Sequence, residues 1–495
     1  MIKTRNTDIF AWALIALAAE PYVVSVLGTF SPILLEQLAR NNGVLDSDHL
    51  TPCVTPPGEQ PIPQPPHNFL QQNTEACVLP IFGGRLYIDT SSYALYTFSV
   101  AVLAQTVSVL TISGIADNSN YKKQLLVTFG VIGSLATMLF FLLNSENYYI
   151  ASLLAIIANC SFGCVNVLMN SYLSILIKHF PNPIILEDEE NAPKDSMELS
   201  KIGSRISGIG ASTGYSAALL TQIASLTALS YLKDISTDVV WCIKTVIAAV
   251  GIWWFVWQFP IGLFLQNLDE PNKENSITLK NMIMKGYRDL IHALIKIKDL
   301  QDIFYYLLGW FVLSDSVTTI NSTAILFAKT ELHMSMVSLA RIGVLVMISA
   351  ITGSILIPHL IISKYKFNLQ QVMVGLVLWC LVVPIYGIFA LKKPSEMYLI
   401  AIWYGIGMGG LNTVSRSIYS IIIPSGKESV FFSIFSLTDK TSSIVGPFAV
   451  GLIINTLHEI RYAFWLLGAL LLLSLPIISR FFNLERARQE SNVFI

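Results

Sequence analysis

Along most of the chain, apolar residues run in long blocks with few charges, separated by short polar connectors. About 20 apolar residues at 1.5 Å per residue make a helix long enough to cross the roughly 30 Å hydrocarbon core of a bilayer. Windows of that length predict spans at 10–38, 90–114, 125–143, 150–177, 203–231 and 241–265, then at 303–327, 337–362, 370–391, 397–423, 430–454 and 461–482. The first block runs too long for the apolar region of a cleavable signal peptide and is expected to stay as a helix. The pattern predicts an all-α polytopic membrane protein with about twelve transmembrane helices in two six-helix halves, 1–265 and 303–495, joined by a linker at 266–302.

Composition points the same way. Of 495 residues 53% are hydrophobic and 13% charged, against roughly 25% charged in soluble domains, and mean hydropathy is +0.60. With a net charge of -1, no basic excess points to nucleic acid. Most of the 31 lysines and arginines fall in connectors on the N-terminal side. The positive-inside rule then puts both termini in the cytosol and the segment 39–87 on the opposite, lumenal side. Pro56, Pro57, Pro61, Pro63, Pro65 and Pro66 exclude helix from the middle of that segment and predict extended coil. Cys53 and Cys77 share the segment and are the disulfide candidates, whereas the other four cysteines lie in or beside apolar blocks. In the linker, Met282, Ile283, Tyr287, Leu290, Ile291 and Leu294 among lysines predict an amphipathic helix on the membrane surface.

Polar residues inside the spans carry the candidate chemistry. A charge at the membrane centre costs at least about 2.5–3.5 kcal/mol and is expected to pair or to face water. Span one holds Glu20, with Pro21 able to kink the helix just after it. Span four places Asn159, Gly163, Asn166 and Asn170 on one helix face. Span seven places Asp315, Thr318 or Thr319, and Ser322 at the same spacing, with Asn321 beside them; span ten places Asn412, Arg416 and Tyr419 so. Interhelical hydrogen bonding explains the asparagines and hydroxyls about as well as a solute pathway does. For Glu20, Asp315 and Arg416 a pathway is the stronger reading, because ion pairing rarely offsets the cost of burying charge.

Asp439 and Lys440 in span eleven point about 100° apart, so the two are expected to serve different surfaces, in gating or helix contacts. Gly203, Gly208, Gly210 and Gly214 around Arg205 form a small-residue face for close helix packing. They do not make a dinucleotide fingerprint, since no strand precedes them. The seven histidines lie in connectors or at span ends without metal-ligand spacing, and no G-x-S-x-G elbow occurs. Neither enzyme chemistry nor a metal or cofactor is expected.

After the second span, Gly114-Ile115-Ala116-Asp117 followed by Lys122-Lys123 resembles the signature between the second and third helices of the major facilitator superfamily; Ser363-Lys364-Tyr365-Lys366 in the second half keeps only the basic residues. That resemblance implies three-helix inverted repeats whose first helices, spans one, four, seven and ten, line a central cavity. Those spans carry the polar positions named above, with Asp117 and Arg205 at expected gating contacts.

A more specific likeness covers nearly the whole chain. Glu20-Pro21-Tyr22-Val23-Val24-Ser25, Asp89-Thr90-Ser91-Ser92-Tyr93-Ala94-Leu95-Tyr96 and Gly251-Ile252-Trp253-Trp254 resemble the autophagy-related protein 22 family of fungal vacuolar amino-acid effluxers. Ser314-Asp315-Ser316-Val317-Thr318-Thr319, Ala401-Ile402-Trp403-Tyr404-Gly405 and Pro424-Ser425-Gly426-Lys427-Glu428 add to it. The resemblance implies export of amino acids, large neutral ones such as leucine, isoleucine and tyrosine, from vacuole to cytosol by alternating access after autophagic degradation. On that reading a zwitterion sets its carboxylate toward Arg416 and its ammonium toward Glu20 or Asp315, and either carboxylate is a candidate proton carrier. The alternatives are a carrier for another small solute, such as a sugar or peptide, and a non-transporting factor in the breakdown of autophagic bodies.

Overall fold

The computed structural model describes residues 6–54, 77–82, 84–144, 146–180, 196–236, 238–267, 279–296, 300–457 and 459–493. The proline-rich stretch expected to be coil lies outside them. The first span is α1 (Asn6–Pro21), a π-helical segment (Tyr22–Phe30) and α2 (Ser31–Asn41). The N-terminal half continues with α3 (Thr90–Asn118), α4 (Lys122–Leu139), α5 (Tyr148–Lys178), α6 (Ser196–Ile235) and α7 (Val239–Phe264). The linker forms α8 (Leu279–Lys296). The second half comprises α9 (Gln301–Thr330), α10 (Met336–Leu356), α11 (Leu369–Phe389), α12 (Pro394–Ile422), α13 (Glu428–Leu457), α14 (Ala463–Pro476) and a terminal α15 (Leu484–Val493).

Ten helical stretches among the described residues are long and apolar enough to cross a membrane. The other two long helices, α6 and α13, are rich in small polar residues, and α13 also carries Asp439 and Lys440. Together they give the twelve spans expected from the pattern. The three π-helical segments among the described residues each involve a proline: Pro21 and Pro476 immediately precede Tyr22–Phe30 and Ile477–Phe481, and Pro358 is the second residue of Ile357–Lys364. Proline cannot donate to the ladder and crowds the preceding turn, so the helix widens there rather than ending.

Because the spans alternate in direction, the two ends of the bundle differ. One, here the terminal face, holds the start of α1, the linker helix and α15; the other, the loop face, holds 42–54 and 77–89. The loop face contains a small sheet that the pattern did not predict: β1 (Val44–Leu45), β2 (Cys77–Ile81) and β3 (Leu86–Asp89), antiparallel in the order β1-β2-β3. Strands this short are hard to separate from coil by alternation. Cys53 and Cys77 are joined in a disulfide with Cα atoms 6.0 Å apart. Before it, exposed Asp48 accepts from the Thr51 hydroxyl and from the amides of Leu50 and Thr51, which holds its carboxyl down at about 2.

On the terminal face α8 does more than lie on the bundle. Gly286 meets Gly114 of α3 backbone to backbone, so a Cβ at either would clash. Tyr287 reaches the Thr111 hydroxyl at 2.7 Å. The last helix, α15, is tied down by fully buried Asp302, which accepts from the Asn483 amide at 2.8 Å and pairs with Arg486.

Candidate substrate-translocation site

The halves are joined on the terminal face by a seam of polar contacts. Asp117, at the end of α3, accepts from the amides of Ser429 (3.0 Å) and Val430 (2.8 Å) in the first turn of α13. A carboxylate there satisfies amides that the helix itself leaves open and meets the positive end of its dipole. Asp117 is also 3.3 Å from Lys122, whose ammonium donates to Ser171. Farther along, Lys178 donates to the Ile423 carbonyl and lies 3.8 Å from Glu428, and Ser174 donates to the Ser420 carbonyl. Gly208 of α6 packs on the Ser354 carbonyl of α10, and Ser207 donates to the Thr413 carbonyl. The contact deepest in the bundle among these is Asn412 Nδ2 to the Tyr215 hydroxyl at 2.6 Å.

At the level of that last bond three charged side chains converge. The cations acting on the Glu20 carboxylate are Arg416 of α12 and Lys440 of α13. Glu20 lies about 21 Å along α1 and Lys440 about 18 Å along α13 at 1.5 Å per residue. All three side chains are half-buried, and none makes a hydrogen bond or an ion pair within 4.0 Å among the described residues. Gly214 of α6 packs against the Glu20 stem and Tyr215 stands within the field of both Glu20 and Arg416. The arrangement sets both signs of charge at one level of the bundle.

The remaining polar positions make separate contacts. Asn159 is buried and reaches Gln105 of α3 at 3.4 Å, while Asn170 donates to Asn166 on the same helix. Asp315 is buried and accepts from the Gly446 amide at 2.8 Å, next to Pro447 inside α13, so it braces that helix. Asn321 is exposed toward the loop-face end of α9. Tyr419 is fully buried: its hydroxyl donates to the Phe431 carbonyl at 2.8 Å and its ring stacks with Tyr306 and Phe435. Asp439 accepts from Ser314 at 2.5 Å, a bond within the second half. Arg205 is exposed on the flank of α6.

Sequence reasoning missed Tyr215 and set Lys440 apart from the charged cluster. Tyr215 gave one signal, an aromatic hydroxyl at the end of a small-residue face. Neither its partner nor its depth can be read from spacing.

Two six-helix halves closed at one end around a charged mid-bundle site form the architecture of the major facilitator transporters. Solved structures agree on the fold. The superfamily transporter FucP in its outward conformation matches with TM-score 0.62 at 15% identity, covering 96% of this chain and 99% of that one. The proton:xylose symporter XylE matches with TM-score 0.60 at 12% identity, covering 98% of each.

The chain belongs to the family described as "Vacuole effluxer Atg22 like", which residues 4–492 match. Among its relatives, autophagy-related protein 22 of Pichia angusta is 45% identical over 99% of this chain and 94% of that protein. The protein of the same name in Saccharomyces cerevisiae is 38% identical, again over 99% and 94%. Fold and family point to a multi-pass transporter rather than an enzyme.

Proposed function

We propose that the protein exports amino acids with large neutral side chains from the vacuole lumen to the cytosol by alternating access. On this reading the terminal face is cytosolic and the structure is the lumen-facing state, since the polar contacts between halves described above lie toward the terminal face. The observation that carries the proposal is the convergence of Glu20, Arg416 and Lys440 without direct partners among the described residues. Charges left so inside a membrane bundle are expected where a ligand or water completes them. The carboxylate of a zwitterion sits between Arg416 and Lys440 and its ammonium faces Glu20. With the ligand in place, the seam from Asp117 to Tyr215 opens and the halves rock to the other side.

Glu20, which faces Arg416 and Lys440, is the carboxylate proposed to exchange a proton with an acidic lumen; Asp315, which accepts from the Gly446 amide through one oxygen, is the second candidate. Transport indifferent to a pH gradient would remove that coupling role. The specificity is tested with purified protein in liposomes. Labelled leucine, isoleucine and tyrosine should exchange in counterflow, whereas sugars and dipeptides should not. Exchange of a sugar alone would point to another carrier, and exchange of nothing, with intact vesicle bodies accumulating in vacuoles that lack the protein, to a non-transporting factor.

A further inference from the structure

A groove of about 580 Å3 opens on the outer flank of the N-terminal half, between α1 and α6, away from the charged site. Phe10, Leu14 and Leu17 of α1 face Ile206 and Ile209 of α6 across it, and Phe10 and Ile209 are exposed at 61% and 38%. An apolar groove open to the side of a membrane bundle faces lipid. At its terminal-face end stand Lys201 and Arg205, one turn apart, and neither side chain has a hydrogen bond or ion pair among the described residues. The neighbouring carboxylate Asp8 is fully buried and does not line the groove. From Lys201 to Thr213, where the lining ends on α6, the helix rises about 18 Å. That slightly exceeds one leaflet of hydrocarbon, about 15 Å.

We propose that this groove binds one anionic phospholipid from the leaflet on the terminal face. The phosphate lies between Lys201 and Arg205 and one acyl chain runs along the α1–α6 cleft toward Thr213. Two cations at the headgroup level, an apolar cleft of leaflet depth below them and no carboxylate among the described lining residues favour such a lipid over a zwitterionic one. Ser363, from the second half, closes the terminal-face end, so the lipid sits where the halves meet.

The full chain, purified in detergent, is incubated with phosphatidylserine, phosphatidylcholine or inorganic phosphate at matched concentrations, and retention is read by native mass spectrometry alongside the melting curve. Phosphatidylserine should be retained at least about fivefold over phosphatidylcholine and should raise Tm, and phosphate alone should do neither. Lys201→Gln and Arg205→Gln should each lower retention about fivefold, the effect of about 1 kcal/mol per cation. Ile209→Trp, filling the cleft at an exposed position, should lower retention of phosphatidylserine while the lipid-free melting curve stays unchanged. Equal retention of the two lipids, stabilisation by phosphate alone, or undiminished retention in Ile209→Trp and in K201Q/R205Q would each overturn the proposal.

Discussion

Two neighbouring layers of the bundle treat charge in opposite ways. In the terminal-face seam, Asp117 holds two amides and a lysine, Lys178 holds a carbonyl and Glu428, and Lys427 lies 2.5 Å from Asp289 of the linker helix. One layer deeper, Arg416 and Lys440 act on Glu20 with no hydrogen bond or ion pair to it among the described residues. Partnered charges in a low-dielectric seam fix one arrangement of the halves, and removing one partner leaves the other uncompensated. Charges without direct partners add little to the closed arrangement, so their removal should be felt by a ligand and hardly by the fold. The difference separates what holds the conformation from what the conformation serves.

Substitutions in the two layers should therefore give opposite signatures. Arg416→Ala should reduce leucine counterflow in liposomes by at least about 100-fold, or roughly 2.7 kcal/mol, while the melting temperature in detergent stays near that of the parent. Asp117→Ala should do the reverse to stability. It takes the carboxylate away from buried Lys122 and from two helix amides, so a loss of about 3 kcal/mol is expected, read as a clear fall in Tm. A Tm unchanged in Asp117→Ala, or collapsed in Arg416→Ala, would break the contrast.

Tyr215 lies between the layers and should show an intermediate effect. Tyr215→Phe removes the bond to Asn412, about 1 kcal/mol, and should favour opening of the terminal face by about fivefold, visible as faster labelling of a cysteine placed in the seam. At the outer edge, Asp289→Asn should cost only roughly 0.5–1 kcal/mol, because that ion pair is partly solvated. Partial burial pulls the Asp289 carboxyl up, but hydrogen bonds from Lys427 and Asn118 outweigh it and hold it below its ordinary 3.8. A depressed carboxyl contributes fully above its unfolded value and loses that contribution as pH falls through the folded one. The linker contact should therefore be insensitive to pH from about 5 to 8 and weaken only below roughly 3.8, which a pH series of melting curves on the parent and Asp289→Asn would show.

The sequence made the spans legible because a bilayer demands uniform apolar blocks, and it exposed Glu20, Arg416 and Lys440 because charges stand out there. Helical spacing identifies a face, not what that face meets. Tyr419 follows Arg416 at a cavity-like interval, yet its ring is locked among Tyr306 and Phe435. Spacing shows Asp315 as an intramembrane carboxylate but not that Gly446, 131 residues away, donates to it. The adjacent Asp439 and Lys440 do diverge, as their 100° offset requires, one bonding Ser314 and the other approaching Glu20. The sheet on the loop face stayed hidden because its strands are short and its register depends on pairing across distant segments.

The central claim is that the charges without direct partners form the substrate site. Its most direct test is leucine binding to purified protein, measured by titration calorimetry on the parent and on Arg416→Ala, Lys440→Ala and Glu20→Gln at equal folded fraction. The account predicts saturable binding to the parent that falls at least about tenfold in each variant, or roughly 1.4 kcal/mol. Leucine binding of unchanged affinity in all three would contradict it.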